Sequence, residues 1–262
     1  MSAAEIALRD FGGSILRLPL AVRLAIEDIH GKYRRTVLGP LWIMFGQAAT
    51  IAGFTLVFSG LLRTSPFEYS LFLAAGLPIW VLISSFAVDM PSAFLQNKGA
   101  IESFETPWIT HIWRKSFGYL FVFAHQIVSY FLLSLYLHKP VTSDVVFVLP
   151  GIAIVLLAGT GLGLLVAVIG ARYRDLQHAL GLLVSFAFFV TPVIWHPASL
   201  PTNGWIYQYN PLYYLITIVR EPLLGQVPDG AIWLGAFVGA IVSMFVGLGA
   251  FMLNRGKLYI WL

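Results

Sequence analysis

The feature that most constrains this chain is a set of six stretches of about 20 consecutive, nearly uncharged apolar residues. An α-helix of that length crosses the hydrocarbon core of a bilayer, which is about 30 Å thick. The six stretches are Pro40–Leu62, Tyr69–Val88, Ser116–Leu137, Val145–Gly170, Leu176–Trp195 and Ala231–Leu253. The sequence therefore predicts an all-α integral membrane protein with six transmembrane helices.

Charged residues are too scarce for a protein that faces water on all sides. They make up 11% of the 262 residues, whereas soluble domains carry about 25%. This shortage excludes a secreted enzyme, a nucleic-acid reader and a disordered scaffold, despite a net charge of +4. The lack of cysteine also excludes disulfides and thiolate metal sites.

Lysine and arginine residues alternate between crowded and sparse segments along the chain. Of the 16, 13 fall in the N-terminal segment, the second and fourth loops and the tail, and 3 fall in the intervening segments. Cytoplasmic segments of membrane proteins retain positive charge, and translocated segments lose it. We therefore expect a multi-pass protein of an inner (plasma) membrane with both termini in the cytoplasm.

The segments between the spans are too short to fold as separate domains, which need about 50 residues. We expect one transmembrane domain over residues 1–262, with an N-terminal segment at 1–39 and a six-helix bundle at 40–262. Apolar residues recur at helical spacing over Leu18–Tyr33, with charged residues on another face. This pattern predicts an amphipathic helix at the cytoplasmic membrane interface or, alternatively, one packed on its own protein.

The loop between the second and third spans has Pro91 near its start and Pro107 at its end. Proline is tolerated in a first helical turn and disfavours a helix just before it, so we expect a short cytoplasmic helix over Pro91–Thr106. Its apolar and charged residues offer a docking surface for a partner, although a plain connector has the same pattern. The candidate contact residues are Phe94, Lys98, Ile101, Glu102 and Glu105.

The segment from His196 to Gly230 contains five prolines, yet its middle is too apolar for an ordinary surface loop. An apolar stretch of about 10–14 residues suits a re-entrant or interfacial element better than a full span. Backbone of this kind persists at membrane depth only when it is buried in protein or lines a wet cavity. We therefore expect re-entrant external helices before the sixth span, at a pore exit or gate. A loop lying flat on the outer surface is the alternative.

Motifs for catalysis and nucleotide binding are missing from the sequence. It has no G-x-x-x-x-G-K-[ST] phosphate loop and no H-E-x-x-H or G-x-S-x-G motif. We therefore expect no catalytic residue, bound metal or cofactor in this chain. None of the 12 Asp and Glu residues lies in the middle of a span, which disfavours proton- or sodium-coupled transport. A passive channel or carrier stays open as an alternative, and a membrane-embedded enzyme is less favoured.

Spans one, two and five are rich in aromatic and hydroxyl-bearing residues. Aromatic rings stack on the apolar faces of sugars, and hydroxyl groups bond to sugar hydroxyls, so these spans suit an uncharged passage for a glycan. The same residues could equally face lipid or neighbouring helices.

Two pairs of glycines recur at four-residue spacing, Gly159 with Gly163 and Gly235 with Gly239. Small residues at this spacing let helices approach closely, within a bundle or between two copies. Six spans alone make a narrow bundle, so a wide passage would need two copies of the chain.

Four further motifs occur in the order typical of one transporter family. They are YRRTVLGPLW at Tyr33–Trp42, ESFETP at Glu102–Pro107, GARYRDLQHALGLLVSFAFFVTPVIW at Gly170–Trp195 and YNPLYYLITIVREPLLG at Tyr209–Gly225. Through these motifs, nearly the whole chain resembles the membrane (permease) subunits of ABC exporters for polysaccharides such as O-antigen, capsule, teichoic acid and cell-wall galactan.

The resemblance implies a homodimeric permease with two separate ATPase chains, which bind ATP and Mg²⁺ and drive export of an undecaprenyl-linked polysaccharide from the cytoplasmic side. It also implies that Leu18–Tyr33 lies at the interface, that Pro91–Thr106 couples to the ATPase and that Asn210–Leu224 is re-entrant. Spans one and five line the passage in that family. The corresponding candidates here are Phe45, Gln47, Thr50, Phe54, Ser185, Phe186 and Phe189.

Tyr33, Arg34 and Arg35 lie just before the first span. Paired basic residues form charge-assisted hydrogen bonds with phosphate, so we expect these three residues to guide an anionic lipid pyrophosphate. Ordinary positive-inside anchoring explains them equally well. Relatives in the same broad class export drugs or small lipids, and the resemblance therefore determines the architecture better than the cargo.

Overall fold

The computed structural model describes residues 3–104, 106–199 and 204–261, and the regular structure in these ranges is helical. Its α-helices in chain order are α1 (Ala3–Leu16), α2 (Leu18–Tyr33), α3 (Leu41–Leu61), α4 (Pro66–Val88), α5 (Ala93–Gln96), α6 (Lys98–Phe104), α7 (Trp108–Tyr136), α8 (Val148–Arg172), α9 (Leu176–Val190), α10 (Trp205–Gln208), α11 (Pro211–Leu223), α12 (Gly230–Asn254) and α13 (Leu258–Trp261). Short 3-10 turns cover Met90–Ser92, Ser143–Phe147 and Pro197–Ser199. The all-α prediction is confirmed for the part of the chain that the structure describes.

Within the described residues, five segments are long and apolar enough to cross a membrane. They are Leu41–Leu61, Pro66–Gln96, Trp108–Tyr136, Ser143–Arg172 and Gly230–Asn254. The span predicted at Leu176–Trp195 is shorter than expected, because α9 ends at Val190 after 15 residues, or about 22 Å. Thr191 is extended before Pro192, whose ring disfavours a helical residue ahead of it.

Helix α4 forms the centre of the bundle. Its apolar window is 72% buried inside the protein, against 17% for α3 and 22% for α12. It packs against α3, α7, α8, α9 and α11. A helix that is apolar on all sides belongs in such a position, where other helices cover every face.

The N-terminal segment forms two helices, of which the sequence predicts only the second. α2 has the predicted bounds of Leu18–Tyr33, and α1 precedes it. α2 buries Ala21, Ala25 and Ile29 and packs along α7. Its apolar face is therefore covered by the bundle, as in the alternative in which the helix packs on its own protein.

Helices α8 and α12 approach each other most closely at Gly161 and Gly247. A Cβ atom on Gly161 would overlap the backbone of Met244, and one on Gly247 would overlap the backbone of Gly161. Only glycine therefore fits at either position without moving a helix.

The glycine pairs singled out from their spacing face side chains instead. The nearest neighbours of an added Cβ are Phe86 at Gly159, Met90 at Gly163 and Tyr214 at Gly235, while Gly239 has open space. The spacing therefore identifies small residues used inside the bundle, but it does not identify the backbone contact between two helices.

The two ends of the chain meet at one face of the bundle. Nε of Arg255, just after α12, donates to Oδ2 of Asp10 on α1 at 3.2 Å. The guanidinium of Arg172 at the end of α8 lies 5.4 Å from the ring of Trp261 on α13. α1, the end of α8 and α13 therefore share this face.

We expect Gly247→Ala to lower the melting temperature of the detergent-solubilised protein, because the added methyl group meets backbone atoms. Overpacking of this kind costs about 1–3 kcal/mol. Gly249→Ala on the same helix has open space around it and is the matched control. The control should be neutral or stabilising, since alanine favours a helix over glycine. Equal melting temperatures for the two variants would contradict the close contact.

Candidate functional site

Five of the seven predicted passage residues lie on the outer surface of the bundle. Phe186 and Phe189 on α9 are 69% and 67% exposed, and Phe45 on α3 is 48% exposed. Thr50 and Ser185 are also exposed, and each hydroxyl donates to the carbonyl oxygen four residues earlier at 2.9 Å. These hydroxyls keep their lone pairs available as acceptors.

The other two predicted passage residues face the protein interior. Gln47 is 5% exposed, and its side chain is enclosed by the bundle. Phe54 is half-buried, with its ring 6.1 Å from that of Phe188 on α9. The Phe188 ring in turn lies 5.5 Å from that of Trp80 on α4. This row of three rings holds α9 against α3 and α4, a packing role that sequence reasoning does not assign to Phe188.

Phe45 lines a different surface from the residues of α9. It borders an apolar cavity of about 580 Å³ between α3, α4 and α7. Ser185, Phe186 and Phe189 do not line this cavity. A single copy of the chain therefore does not bring the predicted passage residues together.

Tyr33 is the last residue of α2, and Arg34 and Arg35 begin the connection of residues 34–40 that leads to α3. Arg35 has a φ of +67°, a left-handed conformation that is costly for a residue with a Cβ atom. Thr36 closes the turn, since its Oγ1 donates to the carbonyl oxygen of Tyr33 at 2.8 Å. Both arginine side chains are exposed, and they are accessible to an anion that approaches the start of α3.

The segment between α4 and α7 is not the single helix predicted over Pro91–Thr106. It consists of the 3-10 turn Met90–Ser92, then α5 and then α6, with a break at Asn97. The Asn97 side chain donates to the carbonyl oxygen of Ala93 at 2.8 Å. A local bond of this kind competes with the helical backbone and explains the interruption.

Two of the predicted contact residues in this segment, Phe94 and Ile101, are buried in the protein itself. The Phe94 ring lies 5.3 Å from that of Trp108 and 6.3 Å from that of Phe251. Of the other three predicted contact residues, Lys98 is exposed. Glu105 and the side chain of Glu102 lie outside the described residues. The apolar residues therefore anchor the segment to the bundle and do not form an open docking surface.

Arg114 on α7 connects this segment to α2. Its Nε and Nη2 donate to the two carboxylate oxygens of Asp28 at 2.6 and 2.5 Å, and its Nη1 donates to Oδ1 of Asn97 at 3.0 Å. A bidentate pair of guanidinium and carboxylate has a fixed geometry. A displacement of the junction between α5 and α6 would therefore reach α2 through one side chain.

Asp10 on α1 binds where this segment ends and α7 begins. Its carboxylate oxygens accept hydrogen bonds from the backbone N–H groups of Trp108 and Ile109, each at 3.1 Å, and so cap α7. Arg255 donates to the same carboxylate, and its guanidinium lies 4.5 Å from the Trp108 ring. Burial raises the pKa of Asp10 above its ordinary value, and the cap and Arg255 lower it in part.

Sequence reasoning did not single out Asp10, Asp28, Arg114 or Arg255 as contact-forming residues. In the sequence each is one more charge outside the apolar stretches, and only its distant partner gives it a role. One local signal is Pro107, which predicts the start of a helix whose first N–H groups need acceptors.

The segment between α9 and α12 is tied to the turn that follows α9. Asn210 caps α11, because its Oδ1 accepts from the N–H of Leu212 at 3.0 Å, and its Nδ2 donates to Oγ1 of Thr191 at 2.8 Å. Arg220 is 3% exposed, and its Nη1 donates to the carbonyl oxygen of Pro192 at 2.5 Å. These bonds attach α11 to the turn after α9, and the second half of α11 is buried.

We expect Asp10→Ala to lower the melting temperature strongly, because it leaves Arg255 unpaired and removes the acceptors of two N–H groups. Breaking a buried pair costs about 3–5 kcal/mol. Glu27→Ala is the matched control, since Glu27 forms an exposed ion pair with Arg23 on α2 and such pairs contribute about 0–1 kcal/mol. A similar small effect of both changes would refute the anchoring role of Asp10.

Known proteins are similar to this sequence over most of its length. The family model described as ABC-2 type transporter matches residues 23–224. The O-antigen export system permease protein RfbA of Klebsiella pneumoniae is 24% identical over 238 residues, which cover 88% of this chain and 90% of that protein. The polysialic acid transport protein KpsM of Escherichia coli is 23% identical over 237 residues, 87% of this chain and 90% of that protein. Because the family model spans most of its residues, the chain belongs to the ABC-2 type transporter family.

Proposed function

We propose that this chain is the transmembrane subunit of an ATP-driven exporter that moves a lipid-linked polysaccharide out across the bacterial inner membrane. The observation that carries the proposal is the similarity to O-antigen and polysialic acid permeases over 88% and 87% of the chain. The exposed aromatic and hydroxyl groups of α3 and α9 suit a sugar cargo. An undecaprenyl carrier is the lipid that we propose for it.

A topology with six crossings and cytoplasmic termini is supported by the contact between Asp10 and Arg255. Because the ends of the chain share one face, the chain would cross the membrane an even number of times. The five long segments give five crossings, and α9 would provide the one more that an even number requires. Local thinning of the bilayer would accommodate its 15 residues. The concentration of basic residues on alternating segments supports a cytoplasmic position for the termini.

The passage would lie between two copies of the chain. Within one copy α9 has no fully buried residue, and its outer side presents Leu182, Phe186 and Phe189. Apolar surface of this extent contacts lipid or a partner. A second copy opposite α9 and α3 would bring Phe45, Thr50 and Ser185 to a shared passage, while Gln47 and Phe54 would act from behind it.

A separate ATPase dimer would bind ATP and Mg²⁺ and act on the segment between α4 and α7. Lys98, Glu102 and Glu105 would provide its charged contacts. Arg114 joins the middle of this segment, at Asn97, to α7 and α2, and Asp10 joins the start of α7 to α1, so these elements would move together. Rigid-body rotation of this kind would open the passage between the two copies.

Tyr33, Arg34 and Arg35 would guide the lipid pyrophosphate to the passage. Two observations support this role, namely the exposure of both arginines and their position directly after α2, in the connection that leads to α3. Charge-assisted hydrogen bonds from arginine suit a pyrophosphate better than a neutral headgroup.

Co-purification with the ATPase subunit tests the coupling. We expect Lys98→Ala with Glu102→Ala and Glu105→Ala to lower ATPase affinity roughly tenfold, as for the loss of several surface charge contacts. The measurement is ATPase binding and hydrolysis with the protein in lipid nanodiscs. Arg23→Ala, exposed on α2, is the control and should bind normally. If no ATPase chain binds even the wild type, the proposal fails and a passive carrier takes its place.

Cysteine cross-linking tests the dimer, because the chain has no cysteine of its own. We expect Phe186→Cys to form a disulfide-linked dimer in membranes under mild oxidation, seen as a doubled mass on a non-reducing gel. Phe245→Cys is the matched control, since Phe245 is 72% exposed on α12, a helix that packs against α8, α11 and α1. Cross-linking through Phe245→Cys alone would exclude an interface at α9.

A further inference from the structure

A polar cavity lies where α2 crosses the ends of α4 and α7. Its volume is about 420 Å³, within the range of small-ligand sites. α9 contributes Gln177 to its wall. We name it the α2 cavity. Ser92 and Gln96 of the segment between α4 and α7 also line it, but none of the candidate passage, ATPase-contact or lipid-guide residues does.

Three cations and two carboxylates line the α2 cavity. They are Lys32, Arg114, Lys115, Asp28 and Asp89. Both oxygens of Asp28 accept from Arg114, so this pair is neutral and its carboxylate is occupied. The ammonium of Lys115 donates to the backbone carbonyl oxygen of Asp89 at 2.9 Å, and an ammonium has three N–H groups. Lys32 is exposed on α2. The cavity therefore carries an excess of one positive charge, and the Lys115 ammonium has further N–H groups that can donate.

Tyr119 supplies an independent observation. Its hydroxyl is buried and has no hydrogen-bond partner in the part of the chain that the structure describes, yet the residue lines the cavity. Buried hydroxyl groups normally have a partner. The side-chain amides of Gln96 and Gln177 add uncharged donors to the same wall. The residues that line the cavity thus include one buried hydroxyl, that of Tyr119, without a hydrogen-bond partner among the described residues.

We propose that the α2 cavity binds the phosphate group of an anionic lipid. Lys115, Lys32 and Tyr119 would donate to the phosphate oxygens, which accept several hydrogen bonds at once. The excess of one positive charge matches one phosphodiester. The charged residues at the ends of α4 and α7 mark the level at which the apolar spans stop, and lipid headgroups lie at that level.

A lipid bound in the α2 cavity would join α2 to α7, because Lys32 lies on α2 while Lys115 and Tyr119 lie on α7. This role does not depend on the polysaccharide cargo. A bulk phospholipid and a polyprenyl phosphate share the phosphate that the cavity would recognise. The test therefore compares these two sources.

The full chain is reconstituted in phosphatidylcholine nanodiscs that contain phosphatidylglycerol or undecaprenyl phosphate, and native mass spectrometry counts the anionic lipids retained after release. We expect the double variant Lys32→Gln with Lys115→Gln to retain roughly tenfold less anionic lipid than the wild type, as for the loss of charge-assisted hydrogen bonds. Asp89→Asn should retain more, because it removes a competing carboxylate. Arg23→Gln, on α2 but outside the cavity, is the matched control and should match the wild type.

Equal retention by the wild type and the double variant overturns the proposal. An equal loss in Arg23→Gln also overturns it, because that result indicates general attraction to a basic surface. Retention of one lipid and not the other supports the site and identifies its source. If the double variant does not fold, Asp89→Asn still tests the proposal, because this change should increase the amount of lipid retained. A decrease in lipid retention by Asp89→Asn contradicts the proposal.

Discussion

Two carboxylates on the N-terminal helices hold together the face of the bundle at which the chain begins and ends. Asp10 caps α7 and pairs with Arg255, and Asp28 pairs with Arg114. Each carboxylate accepts from more than one donor, so α1 or α2 cannot shift without leaving charged groups unpaired. The N-terminal helices, the segment between α4 and α7 and the start of α7 therefore behave as one mechanical unit.

The rest of the bundle combines tightly enclosed helices with one that is loosely held. α4 is covered on all sides, and α8 and α12 meet at the backbone of Gly161 and Gly247. α9, by contrast, has no buried residue and packs against α4 and α3 in part through the Phe188 ring, which lies between Phe54 and Trp80. Lipid tails are as apolar as leucine, so exposure of the outer side of α9 carries little cost in a membrane. In the proposed dimer, this side of α9 would exchange lipid for a second copy of the chain.

The pair of Arg114 and Asp28 belongs to two parts of the proposed mechanism. Through Asn97 it joins the coupling segment to α2, and it also forms part of the wall of the α2 cavity. A phosphate beside Lys115 would lie next to this pair. Movement of the coupling segment and occupancy of the cavity would then influence each other, because linkage between two sites is reciprocal.

The sequence by itself determined the protein class, the approximate helix bounds, including Leu18–Tyr33, and the basic asymmetry along the chain. These properties are local, since the partition of an apolar segment into lipid depends mainly on its own residues. The sequence predicts a longer span than α9 provides, because α9 ends at Val190, two residues before Pro192, while the apolar stretch continues to Trp195. Only the tertiary structure decided that Phe94 faces inward, that Asp10 meets Arg255 and that Gly161 meets Gly247. Each of these outcomes depends on a surface contributed by a distant part of the chain, which no local pattern specifies.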